Sequence, residues 1–191
     1  MKRSLKREAG KTYLYLVRHA HFIIPKEGYD PHPPLSKRGR IQARAAAKRF
    51  SSLKDHVEVF YCSSMKRAVQ TAGEIRKTIR KKLISHDGLW EFNKILWTDK
   101  YYHYKYWKHW RKHKLTIKTL DKILQSHRGK VIVVVAHGNV IKGVLRNKAK
   151  LPTSKLRKLE YKNCHVTCMK FNGIRLEKTY CINSKMPPLI K

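Results

Sequence analysis

Two imidazoles close two apolar runs in this chain of 191 residues. Residues 12–17 lead into Arg18 and His19, and residues 131–136 lead into His137 and Gly138. A buried strand opening onto a guanidinium and an imidazole puts both groups where a loop begins. In an open α/β sheet, the crevice outside the carboxyl ends of the strands is where ligands bind. Two histidines so placed, with arginines nearby, fit an anion site in which one imidazole attacks phosphorus and the other helps hold the phosphoryl group. A further arginine, Arg67, falls in the first turn of a helix after a third apolar run, where helix N-termini favour anions.

The elements that must position these groups alternate along the chain. The first strand is expected at about 12–18, and the proline-rich stretch 23–34 after it admits neither helix nor central strand. Ser36 is placed to cap a helix reaching Phe50, with Ile41, Ala43, Ala46, Ala47 and Phe50 on or near its inner face. A second strand is expected at 57–61, with Cys62, Ser63 and Ser64 as the turn into a helix whose apolar stripe is Met65, Ala68, Ala72, Ile75 and Ile79. A short strand at 83–85 precedes a loop through Trp90 and Glu91.

Residues 93–114 interleave Trp and Tyr with Lys and His, and read as an inserted, mainly helical lid. A helix from about 117 to 127 follows, ended by Arg128 and Gly129. Six consecutive apolar residues, 131–136, predict a strand buried on both faces, as in a parallel sheet. A short helix, a basic connection from Pro152, and a hairpin turning at Asn172 and Gly173 complete the pattern. Residues 1–11 read as a solvated basic arm, 12–183 as one domain and 184–191 as a tail. Gly28 and Gly39 are expected in turns, because no phosphate-loop spacing surrounds them.

Five segments, in order, resemble the histidine phosphatase (phosphoglycerate mutase-like) superfamily: LVRHA ending at Ala20, PLSKRGRIQA ending at Ala43, SSMKRAVQTA ending at Ala72, the LWEF segment around Glu91, and VVVAHGNVIKGVL ending at Leu145. The resemblance implies a three-layer α/β/α domain with a mainly parallel central sheet. It implies His19 as nucleophile through a phosphohistidine, Glu91 as general acid and base, and Arg18, Arg67, His137 and Gly138 around the phosphate. No metal and no organic cofactor are implied, since the arginines neutralise the phosphoryl oxygens. The usual RHG is RHA here, with Ala20 for glycine. Pro25 stands where the family's mutases carry a substrate-binding asparagine, so the resemblance points to a phosphomonoesterase acting on a small phosphorylated substrate, with a mutase-type phosphotransferase as the alternative. Other histidines read as solvated or packed, only His21 being near enough to approach substrate.

Composition bounds the rest. The length fits one domain with a proper core, at 41% hydrophobic residues. The 45 Lys and Arg against 12 Asp and Glu give +33, a field that attracts polyanions. Between Lys122 and Lys158 there are ten basic residues and no acid. With the aromatic 93–114 segment, this band makes RNA or another polyanion the partner of a rival, non-enzymatic reading. The four cysteines lack the paired spacing of a zinc site and read as reduced thiols of a cytoplasmic protein. With no run near the ~20 apolar residues of a membrane span, no membrane partner is expected. Oligomeric state is not legible in the sequence.

Overall fold

The computed structural model describes residues 4–24, 32–92 and 104–190. The strands are β1 (Ser4–Leu5), β2 (Thr12–Arg18), β3 (Val59–Ser63), β4 (Leu83–His86), β5 (Val131–Ala136), β6 (Val166–Asn172), β7 (Arg175–Ser184) and β8 (Leu189–Ile190). The helices are α1 (Lys37–Phe50), α2 (Lys66–Ile79), α3 (Tyr104–Ser126), α4 (Gly138–Lys148) and α5 (Thr153–Lys158). Six strands form one sheet in the order β4-β3-β5-β2-β6-β7. The first four are mutually parallel, and β6 and β7 add an antiparallel edge.

The period-two geometry of a strand sorts the core into two layers. Tyr13, Tyr15, Val17, Val131, Val133 and Val135 face the layer of α1 and α2. Leu14, Leu16, Ile132, Val134 and Ala136 face the layer holding α3, α4 and α5. Every residue of β5 is buried, because both faces of the central strand are covered. The expected α/β/α sandwich with its mainly parallel sheet is therefore the fold observed.

Several local expectations are corrected. The second strand lies at Val59–Ser63, two residues later than apolarity alone places it, because the pairing of Cys62 with Val135 sets its register. Ile41 is 66% exposed, on the outer face of α1. Gly39 is a close-approach glycine in the first turn of α1: a Cβ there would run into the backbone carbonyl of His21. Gly28 lies outside the described residues. Residues 104–126 form one uninterrupted helix, so the 104–114 part of the expected lid is the start of α3. Residues 93–103 lie outside the described residues. The basic connection after Pro152 contains the short helix α5, anchored by buried Leu156. The arm and the tail meet, with β1 and β8 paired in parallel as a small second sheet.

Candidate active site

The register of the central strands brings the site together. Arg18 pairs with Ala136 across β2 and β5, so His19 and His137, the next residue on each strand, emerge side by side. The His19 amide donates to the Ala136 carbonyl at 2.9 Å, and the two rings lie 5.0 Å apart, edge to face. Ser63, one residue beyond the Cys62–Val135 pair, reaches the same level from β3. The N-termini of α1, α2 and α4 follow the three strands, so backbone N–H groups and helix dipoles converge on this end of the sheet.

His19 is almost fully buried, at 1% exposure. Its Nδ1–H donates to the Ala20 carbonyl at 2.7 Å, which leaves the lone pair on Nε2. Arg67, only 6% exposed, donates its Nε–H to that Nε2 at 3.2 Å. Burial, and then the Arg67 and Arg18 charges, push the His19 pKa down to about 3, so the imidazole is neutral at ordinary pH. Backbone ties fix its place: Thr71 Oγ1 accepts from the Ala20 amide at 3.0 Å and donates to the Arg67 carbonyl at 2.7 Å. Asn163 Nδ2 donates to the His19 carbonyl at 2.8 Å.

His137 is completely buried, and its Nε2 lies 2.9 Å from Ser63 Oγ. Ser63 Oγ already accepts the Met65 amide at 3.3 Å, so its own hydrogen is available to Nε2. With Ser63 as donor the ring proton of His137 is on Nδ1, and with Ser63 as acceptor it is on Nε2. Among the described residues, Nδ1 has no hydrogen-bond partner; the nearest carboxylate oxygen, Glu91 Oε2, is 3.9 Å away. Burial, with the neighbouring His19, Arg67 and Arg18, keeps this imidazole neutral too.

Arg18 turns its Nη1 to the Tyr161 carbonyl, while its buried Nε has no partner among the described residues. That Nε lies beside Gly138, the first residue of α4, where a Cβ would come within 3.6 Å of it. Glu91 keeps 24% of its side-chain exposure, yet burial of the carboxyl end raises its pKa to about 7 against the opposing pull of Arg67 and Arg18. Met65 Sδ accepts from the Glu91 amide at 3.4 Å and from Arg67 Nη2 at 3.5 Å. Trp90, next to the acid, donates its indole N–H to Ser64, which in turn donates to Asp87.

His19, Arg67, Glu91, His137, Arg18 and Gly138 thus lie together at this end of the sheet. His21 does not join them: its ring is bonded to Ser36 Oγ at 2.8 Å. Sequence reasoning missed Ser63, Met65, Thr71, Tyr161 and Asn163, which contact site residues only through the folded register. Phe22 was also missed; its ring packs under the Arg67 guanidinium at 5.0 Å.

One ligand atom each of His19, Glu91 and His137 lies within 4.8 Å of the others, a spacing that could hold a metal ion. Arg18 and Arg67 bear on all three groups, so the local field opposes a divalent cation and favours a dianion. The four cysteines are free thiols and lie outside this cluster.

The family model of the histidine phosphatase superfamily (branch 1) matches residues 14–116 and 114–181, which takes in most of the chain. The chain belongs to the histidine phosphatase superfamily. Phosphoserine phosphatase 1 of Hydrogenobacter thermophilus is 35% identical over 88 residues, 44% of this chain and 41% of its own length. The matched stretch thus spans about two fifths of that relative.

Solved structures extend the likeness in fold. Phosphoserine phosphatase from Entamoeba histolytica, in complex with 3-phosphoglyceric acid, matches with a TM-score of 0.70 at 20% identity, covering 91% of this chain and 97% of its own. The phosphoglycerate mutase of Bacillus anthracis str. Sterne matches with a TM-score of 0.68 at 19% identity, covering 93% and 95%. A mycobacterial glucosyl-3-phosphoglycerate phosphatase gives 0.70 at 19%, covering 91% and 99%. Among the described residues, no helix is long and apolar enough to cross a membrane.

Proposed function

We propose that the chain is a phosphomonoester hydrolase that works through a phosphohistidine on His19 without a metal ion. The observation that carries this reading is that, among the described residues, the buried Arg18 Nε and His137 Nδ1 have no hydrogen-bond partner, beside a neutral His19. Orphaned buried donors are costly, and phosphoryl oxygens would satisfy both.

In the first step the His19 Nε2 lone pair attacks phosphorus. An N–P bond forms as the P–O ester bond breaks. Arg67, which caps Nε2 in the free protein, transfers its hydrogen bonds to the phosphoryl oxygens beside Arg18, His137 Nδ1–H and the Gly138 amide. Glu91, protonated by virtue of a pKa near 7, gives its proton to the leaving oxygen. In the second step the Glu91 carboxylate takes a proton from water, the hydroxide oxygen attacks phosphorus, and the N–P bond breaks. Inorganic phosphate leaves with His19 and protonated Glu91 restored.

Phosphoserine, which names the Hydrogenobacter relative, is the first substrate to try, followed by other small phosphorylated metabolites. The mutase alternative draws support only from the fold shared with the Bacillus anthracis enzyme. The test is phosphate release from phosphoserine and from an aryl phosphate, with excess chelator, by wild type and Glu91→Gln. Activity should survive the chelator. The substitution should cost on the order of 100-fold with phosphoserine and much less with the aryl ester, whose leaving group needs little protonation. Equal losses would remove the acid role, and loss of activity in chelator would remove metal independence.

A further inference from the structure

The outer face of α1 carries cations and one large exposed aliphatic side chain, with no acid. Helical spacing puts Lys37, Arg40, Arg44 and Lys48 around Ile41, which is 66% exposed. Arg40, Arg44 and Lys48 repeat at four-residue intervals, a like-charge pattern that destabilises a helix. Lys37 and Arg40 also sit in the first turn, against the positive end of the helix dipole. The neighbouring helix α2 packs alongside through buried Ala68 and Ala72 and exposes Lys66, Arg76 and Lys77. The one acid of the two helices, Glu74, is tied to Lys77 at 2.9 Å.

Two further exposed aliphatic side chains lie in the stretch before α1, on the side of that helix opposite Ile41. Ile23 and Ile24 are 50% and 72% exposed. The Ser36 amide bonds the His21 carbonyl at 3.2 Å, and Gly39 packs against that carbonyl, so this stretch lies next to the first turn of α1.

We propose that the α1–α2 face docks this protein onto an anionic lipid surface, its cations meeting headgroups and Ile41 entering the interface. The chemistry of the face selects this partner over a single-stranded nucleic acid. The only aromatic residue in the two helices is Phe50, which is 1% exposed, so the face has no ring on which bases could stack. Exposed aliphatic side chains set among Lys and Arg are what an amphipathic interfacial face presents. The sequence expectation of no membrane partner concerned a spanning run, whereas this face would lie on the surface. The proposal does not depend on the phosphatase reading.

The test is co-sedimentation of the full chain with phosphatidylcholine vesicles and with the same vesicles containing phosphatidylglycerol, near physiological ionic strength. Binding is expected only with the anionic lipid. Each Lys or Arg near such a surface contributes about 1 kcal/mol, about fivefold, so Lys37→Gln/Arg44→Gln/Lys48→Gln should lower partitioning on the order of 100-fold. The charge-matched control on exposed lysines of α3, Lys114→Gln/Lys118→Gln/Lys122→Gln, should lower it less than about tenfold on the same scale. Ile41→Ser leaves the charge unchanged and should cost roughly tenfold through lost apolar burial. Equal losses from the two triple variants, no effect of Ile41→Ser, or displacement from the vesicles by single-stranded RNA through the same α1 residues would each overturn the proposal.

Discussion

The proton positions on the two central histidines decide what each can do. His19 spends its Nδ1–H on the Ala20 carbonyl and keeps a lone pair on Nε2, while the proposed mechanism has Ser63 donate to His137 Nε2, with the ring proton on Nδ1. On the proposed reading one ring is thereby the nucleophile and the other a donor. Ser63→Ala should release the His137 tautomer: nitrogen-15 NMR should show mixed protonation of its ring, and kcat/KM should fall roughly tenfold, about the worth of one hydrogen bond. An unchanged ring spectrum would remove Ser63 from this role. Glu91, with its pKa near 7, should give kcat/KM an alkaline limb as pH rises through about 7, absent in Glu91→Gln. Should that limb persist in the variant, the titrating group is another. His19, His137 and Arg67 were legible because each follows an apolar run at a fixed offset. Ser63 and Met65 were not, since a serine or methionine at a strand-to-helix turn has many uses. Only the folded register brings Ser63 Oγ to 2.9 Å from an imidazole and Met65 Sδ to the backbone of the acid.

At the scale of elements, strands and caps were legible and tertiary approach was not. Ser36 caps α1 through a bond from the Gly39 amide at 3.1 Å, as its position before an apolar periodicity implies. Gly39 itself looked like a turn residue, but it serves the contact of α1 with the loop after His19. Gly39→Ala should therefore destabilise the fold by about 1–3 kcal/mol, as overpacking does, although alanine is the better helix former. A melting temperature at or above that of wild type would show the loop yielding without cost. The mainly helical segment to 114 and the helix from about 117, read as two elements, are one from residue 104 onward, because the lysine-rich aromatic segment changes composition without a Pro or Gly to stop a helix. Ile41 was assigned inward because its spacing nearly matches the alanines of the stripe. With 3.6 residues per turn it lies on the side of the helix opposite Gly39, Ala43, Ala46 and Phe50, and so faces solvent.

For the whole molecule, the layered fold was legible because apolar runs and helical stripes alternate, and one sheet buries both faces of its centre. The charge says nothing about that fold, and its purpose depends on which surface is exposed, which no pattern of residues gave. Burial of three neutral histidines also shapes the response to pH. His19 and His113 are lowered to about 3 and about 4, and His137 lies well below its usual value, all first by burial. A lowered histidine pKa means that the unfolded chain binds the proton and the folded one refuses it. Stability from these groups is full above about pH 6.5 and is lost as pH falls toward 3. Glu91 works the other way between about 4.5 and 7, one carboxyl against three imidazoles. The melting temperature should therefore drop as pH is lowered from 6.5 to 4, and a flat profile would contradict the buried neutral state. The claim on which the functional account rests is that His19 carries the phosphoryl group, and it is tested most directly by quenching the protein during turnover of phosphorus-32-labelled phosphoserine. The account predicts protein-bound label that is stable to base, labile to acid, located on His19, and missing from His19→Ala; acid-stable label on a serine, or base-stable label persisting in His19→Ala, would contradict it.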